Sequence, residues 1–362
     1  MQSGEYSANA SSTYQYVNSA FNITYVDGSG AVGDYGKDTL SVGNLTIQNF
    51  QFGIGYKSSS PQGILGIGYP INEVQVNNAR LQSYNNLPAA MANTDVIATN
   101  AYSLWLNDLD ANTGSILFGG VDSAKYIPPL STLPIISESG VYAEFIIALT
   151  AVGQNGNVGS IIDNQAEAIL LDSGSSLTYL PDNIVQSIYT AYNAQYVQNE
   201  GAAIVDCALQ YQQGSIDFTF SGVTISVALN ELVILSSIQN GQETCIFGIS
   251  PAGPSQSVLG DTFLRSAYVV YDLSGNTISL ATTNFNTTEH HVEQIPSSAG
   301  IPGATSVANA VTTVTNLQTG IGRIGNGGVV GSQGAAAAMV TPPPTVKYGA
   351  AVAGLGLALA AL

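Results

Sequence analysis

Basic residues are nearly missing from this chain: 7 Lys and Arg stand against 24 Asp and Glu in 362 residues, a formal net charge of −17. A nucleic-acid-binding surface needs a cationic footprint to displace counterions, so partners of that class are excluded. Charged residues of either sign make up only 9%, too few for the solvated helix faces of an ordinary cytosolic helical protein. The surface must be covered by Ser, Thr, Asn, Gln and Tyr instead, which suits a β-rich exported chain. Acid is the natural setting for such a composition, because protonation removes the self-repulsion of the carboxylates. Solubility alone is the other account of the same acidity.

Histidine and cysteine are scarce too, two of each. His290 and His291 are adjacent, so their side chains diverge, and no G-x-S-x-G elbow exists to use them; no metal site or Ser-His triad is expected. Cys207 and Cys245 are either two buried thiols or one disulfide. Asn-x-Ser/Thr sequons at Asn9, Asn22, Asn44 and Asn286 favour export, N-glycosylation and the disulfide.

Long apolar runs are absent until the end. The start, Met1-Gln2-Ser3-Gly4, has neither the basic opening nor the apolar stretch of a signal peptide. Residues 348–362 are uncharged Ala, Gly, Val and Leu after Tyr348, shorter than the ~20 residues that span a bilayer. They follow a spacer ending Pro342-Pro343-Pro344-Thr345-Val346-Lys347 and the small residues Ser332-Gln333-Gly334-Ala335-Ala336. That order is the signal for a glycosylphosphatidylinositol anchor, with attachment expected near Gly334 and Ser332 as the second choice. The expected partner is a membrane or cell wall, and the expected location is extracellular, at the cell surface.

What is present reads as strands. Residues 21–26, 39–42, 45–47, 102–106, 115–118 and 268–271 are short alternating or apolar runs, broken by Gly, Asn, Asp and Pro. The one well-marked helix starts at Pro181-Asp182 and ends near Tyr192, with Ile184, Ile188 and Tyr192 on one face. The fold class is all-β with a few short helices. After residue 286 the texture becomes Ser, Thr, Gly and Ala, read as a flexible, O-glycosylated stalk over 287–347.

Two Gly-x-Gly-x-x-Gly matches, at 28–33 and 320–325, lack the strand–turn–helix setting of a dinucleotide site, so no cofactor is expected. Asp108-Leu109-Asp110-Ala111-Asn112 resembles the start of a calcium loop, but Thr113 and Gly119 stand where Gly and Glu are required, and a hairpin turn fits better.

Chemistry concentrates at Ala168-Ile169-Leu170-Leu171-Asp172-Ser173-Gly174-Ser175-Ser176. An apolar strand delivers a carboxylate into a loop of hydroxyls and backbone N–H groups that can stabilise its buried charge. An isolated D-S-G is usually only a turn. Here the loop resembles the second active-site loop of pepsin-like aspartic proteases, and further segments fall in that family's order. Residues 21–30 resemble the flap hairpin, with Tyr25, Asp27, Gly28 and Ser29 as its tyrosine and tip. Gly63-Ile64-Leu65-Gly66-Ile67-Gly68 resembles the segment that threads behind the first active-site loop. Gly114 to Asp122 is another family string, and Ser257-Val258-Leu259-Gly260-Asp261-Thr262 resembles the second threading segment. The resemblance covers residues 5–285. It implies a bilobal acid-protease fold, a Cys207–Cys245 disulfide in the carboxyl-terminal lobe, polypeptide substrates and a monomer. The flap's Asp-Gly-Ser and the stalk with its apolar tail look most like the fungal yapsin-type branch.

The resemblance also implies two lobes, residues 1–135 (amino-terminal lobe with the flap) and 136–286 (carboxyl-terminal lobe with Asp172), after which composition places the stalk 287–347 and the tail 348–362. One feature departs from the family: there is no second D-[ST]-G. The signal peptide, propeptide and first active-site loop are expected to precede Met1, leaving the first lobe truncated. The expected function is an acid endopeptidase with Asp172 catalytic and Ser173, Gly174, Ser175 and Ser176 forming its loop, inactive without its partner Asp. The alternative is a non-catalytic, wall-anchored binding or structural protein that keeps the cleft.

Overall fold

Alternation of apolar and small polar residues with Asn, Asp and Gly at the breaks folds this chain almost entirely into β-structure. A computed structural model describes residues 5–25, 29–59, 63–198 and 201–317. The first three strands, β1 (Gln15–Thr24), β2 (Gly30–Val42) and β3 (Leu45–Ser58), form an antiparallel three-stranded sheet. Gly30 is required where β1 and β2 meet, because a Cβ there would lie 2.2 Å from the Ile23 carbonyl oxygen. Two short helices follow, α1 (Val74–Asn77) and α2 (Leu87–Asn93). Asn86 caps α2 by accepting from the Ala89 N–H, a side-chain cap at a helix start that is itself buried.

The chain then lays down β4 (Ala101–Trp105), β5 (Ser115–Phe118), β6 (Gly120–Asp122) and β7 (Tyr126–Pro134). Trp105 pairs with Ser115 across the β4–β5 connection, so the calcium-loop-like residues 108–112 form the expected hairpin turn. Next come β8 (Ile146–Leu149), β9 (Ala151–Gln154), β10 (Asn157–Ile162), β11 (Glu167–Leu171) and β12 (Thr178–Leu180). Helix α3 (Asp182–Tyr192) has the expected bounds and turns Ile184, Val185, Ile188 and Tyr189 into the core. Beyond it lie β13 (Gln195–Val197), β14 (Ala202–Val205), β15 (Ser215–Phe220), β16 (Val223–Ala228), α4 (Leu229–Leu232), β17 (Val233–Gln239), β18 (Gln242–Phe247) and β19 (Ile249–Pro251). The series continues with β20 (Ser257–Leu259), α5 (Asp261–Leu264), β21 (Ala267–Asp272), β22 (Thr277–Thr283), β23 (Val292–Gln294) and β24 (Ala304–Ser306).

Two sheets position the site. A five-stranded sheet runs β19-β12-β20-β11-β8, and a six-stranded sheet runs β24-β7-β22-β21-β4-β5. The second draws strands from both halves of the sequence and ties them together. Its neighbours share one continuous core containing Tyr102, Leu149, Ile169, Phe218, Phe263 and Leu280.

The stalk expected from residue 287 is corrected by this arrangement. β23 pairs with β6 and β24 pairs in parallel with β7. Ile295 is buried, and Val307 and Ala310 pack against the main core. Residues 287–317 are therefore part of the folded body; the remainder of the expected stalk, Ser332, Gly334 and the apolar tail lie outside the described residues.

Candidate active site

Five residues of strand lead into the site. β11 is inserted between two partners, antiparallel to β8 and parallel to β20, with Leu171 opposite Leu259. Both flanks are buried, which is why the strand reads as a continuous apolar run. At its end the Asp172 N–H donates to the Leu259 carbonyl at 3.1 Å. The chain then turns sharply, with the Ser175 N–H donating to the Asp172 carbonyl at 3.2 Å.

The Asp172 carboxylate is half-buried and held from within its own loop. Oδ1 accepts from the Gly174 N–H at 2.9 Å, and Oδ2 accepts from Ser175 Oγ at 2.7 Å. Burial pushes its pKa up, while the bonds from Ser175 and Gly174 work in the opposite direction. Ser175 is fully buried, Ser173 and Gly174 are exposed, and Ser176 is half-buried.

The threading segment locks this loop from behind. The Asp261 N–H donates to the Ser175 carbonyl at 2.8 Å and the Thr262 N–H to the Ser176 carbonyl at 3.3 Å. Thr262 Oγ1 reaches both Thr178 Oγ1, at 3.1 Å, and the Gly248 carbonyl, at 2.8 Å. Gly260 passes so close that a Cβ would lie 2.3 Å from the carbonyl oxygens of both Ser175 and Leu177.

A second carboxylate belongs to this electrostatic unit, and sequence reasoning treated it only as part of the threading segment. Burial pushes the Asp261 pKa up to about 7; Arg265 opposes the rise and Asp172 adds to it. Arg265 is itself engaged by Glu231, through Nε at 2.6 Å and through Nη2 to the Glu231 carbonyl at 2.7 Å. Tyr271 stacks on Tyr102 with 4.9 Å between ring centroids. Burial, then Asp172 and Asp261, push the Tyr271 hydroxyl far above its ordinary range.

Of the other expected site residues, Tyr25 and Ser29 meet at the β1–β2 hairpin, where the Tyr25 N–H donates to the Ser29 carbonyl at 2.8 Å. Asp27 and Gly28 lie outside the described residues. Residues 63–69, expected from the resemblance to be the counterpart of the β20 segment, belong to no strand, and Ile64 and Leu65 are 61% and 45% exposed. Cys207 and Cys245 form a disulfide of 2.04 Å that staples the segment after β14 to β18. Asn9, Asn22, Asn44 and Asn286 are all exposed. His290 Nδ1 lies 2.9 Å from Asp122 Oδ2.

Known proteins resemble this chain in sequence and in fold. The sequence profile described as "Eukaryotic aspartyl protease" matches residues 1–283. "Probable aspartic-type endopeptidase opsB" of Aspergillus oryzae is 50% identical, covering 98% of this chain and 77% of that protein. "Secreted aspartic protease 3" of Candida albicans is 39% identical over 78% of this chain and 68% of its own length. The crystal structure of the aspartic proteinase from Irpex lacteus superimposes with a TM-score of 0.65 at 23% identity, covering 79% of this chain and 86% of the other, a likeness of fold.

Proposed function

Because the chain belongs to the eukaryotic aspartyl protease family, the family of aspartic endopeptidases, we propose that Asp172 is one of two catalytic carboxylates that hydrolyse peptide bonds of polypeptide substrates in acid. The observation that carries this reading is the carboxylate at the end of β11, gripped by Ser175 Oγ and the Gly174 N–H. Two such groups facing one another cannot both be ionised, so they share a proton. The ionised member takes a proton from the attacking water, and the protonated member polarises the scissile carbonyl. Their titrations belong to the pair and not to either residue.

Ser175 keeps the carboxylate oriented. Tyr25, on the hairpin that resembles a flap, closes over the substrate and keeps bulk water out. Asp261 does not serve as the second carboxylate: its backbone is tied behind the Ser175 carbonyl, on the supporting side of the loop. The sequence holds no other Asp-Ser/Thr-Gly. A second such loop has a place to go, beside residues 63–69, whose equivalents at β20 are fully paired and buried. The 362-residue chain alone is therefore inactive, and adding that loop confers turnover.

The protein works outside the cell. The disulfide suits an oxidising compartment, and the exposed sequon asparagines suit N-glycosylation. The small-residue, spacer and apolar-tail order supports a lipid anchor and a place in the yapsin-type branch. Two lobes divide near residue 135. The test is turnover of a denatured protein substrate at acid pH by the chain supplied with a second loop, with and without Asp172→Asn. Retained turnover in the Asp172→Asn protein would leave a non-catalytic role for this cleft.

A further inference from the structure

The segment that follows β22 crosses most of the molecule before it leaves the described residues. It joins β23 to β6 and β24 to β7, donates from the Val307 N–H to Thr132, and donates from the Val311 N–H to Ser221 Oγ at 3.0 Å. It ends on β11, the strand that carries Asp172. Thr315 bridges in parallel to Glu167, and its N–H donates to the Ala166 carbonyl at 2.9 Å. Asn316 Nδ2 donates to Glu167 Oε2 at 2.7 Å. Val314 and Leu317 close a small cluster with Ile136, Ile146, Ala168 and Leu170.

From these contacts we infer that Asn316 is a positioning residue for Asp172, acting through Glu167 and β11. Sheet hydrogen bonds to β8 and β20 hold β11 sideways, but its ends are fixed separately. At one end the Asp172 N–H is tied to Leu259. At the other, the side-chain carboxyl group of Glu167 sits on a residue only 7% exposed, and a polar group buried there needs a hydrogen-bond partner. Asn316 supplies it from a left-handed backbone, φ +60°, a conformation that Asn adopts more readily than most residues. Without that donor Glu167 must draw in water, and the strand end opens four residues before Leu171, the last residue before the catalytic loop. The segment read from sequence as a loose tether is, on this account, the support at the far end of the catalytic strand.

The inference rests on the assignment of Asp172 made above, and its test does not need turnover. In the full chain, amide hydrogen exchange is followed at Ile169, Leu171 and Asp172 and, as internal reference, at Val269 and Tyr271 of β21. Leaving a buried polar group without its hydrogen-bond partner speeds local opening by about tenfold to a hundredfold. Asn316→Ala is expected to accelerate the β11 amides by at least about tenfold and leave β21 unchanged. It should also move the Asp172 carboxyl titration, read by carbon NMR, down toward the ordinary carboxylate range as water reaches the loop. Glu167→Gln keeps an acceptor for Asn316 and is expected to preserve both readings. If Asn316→Ala does not fold, Asn316→Ser, with a shorter donor, should give an intermediate acceleration at β11. Exchange at β11 that is unchanged, or that rises equally in β21, overturns the positioning role. Asp172→Asn in the enzyme with both loops tests the catalytic assignment separately.

Discussion

Gly260→Ala offers the sharpest perturbation of the machinery behind Asp172. The backbone at Gly260 has φ −90° and ψ −162°, which alanine adopts freely, so any cost comes from space alone. The new methyl would sit 2.3 Å from two carbonyl oxygens, where contacts under 3.0 Å are essentially never seen. The Ser175 and Leu177 backbone must retreat by at least the difference, 0.7 Å. That motion carries the Asp261 N–H to Ser175 bond from 2.8 Å to the edge of bonding, and with it the weaker Thr262 to Ser176 bond. Two such bonds are worth about 1 kcal/mol each, and overpacking adds about 1–3 kcal/mol. The sum, about 3–5 kcal/mol, is a large part of an ordinary domain's stability. At a urea m-value of ~2 kcal/mol/M the midpoint should fall by about 2 M. Gly66→Ala is the control: it stands in the segment that resembles the first threading segment, yet among the described residues a Cβ there meets nothing within 4 Å. It should be neutral in this chain and become costly once a second active-site loop packs beside it. A Gly260→Ala midpoint within ~0.3 M of the parent's would refute the reasoning.

Two further outcomes are expected. Asp261, with its pKa raised to about 7, keeps a proton in the folded state that the unfolded chain releases near pH 4, so stability should be greatest in acid and fall as pH rises from about 4 to 7, by up to about 4 kcal/mol; Asp261→Asn should flatten that profile, and urea titrations at several pH values measure it. Replacing Cys207 and Cys245 by Ser opens a cross-link with a sequence separation of 38 and should cost about 4 kcal/mol, read as a lower urea midpoint that reducing agent no longer changes.

Much of the fold was legible because its signals are local. The β11 run is apolar on both faces and ends in Asp172-Ser173-Gly174, so strand, turn and carboxylate were all visible in ten residues. Helix α3 carried its own start at Pro181-Asp182 and its own apolar face. The packed segment 287–317 was not legible, because β23 and β24 are three residues each, too short to establish a period, and their partners β6 and β7 lie more than 150 residues earlier. The coupling of Asp172 to Asp261 was missed for the same reason. It arises from the parallel alignment of β11 with β20, and nothing in the composition of Leu259-Gly260-Asp261 announces it. Nor does Glu167 advertise Asn316, since that bond joins residues 149 apart.

The central claim, that Asp172 does the chemistry, is tested most directly by acid-pH turnover. A chain carrying a second Asp-Ser/Thr-Gly loop ahead of the flap hairpin should cleave a denatured protein substrate, and Asp172→Asn should abolish that cleavage while leaving the urea midpoint near the parent's. Cleavage that persists in the Asp172→Asn protein, or that the unextended chain performs equally well, would contradict it.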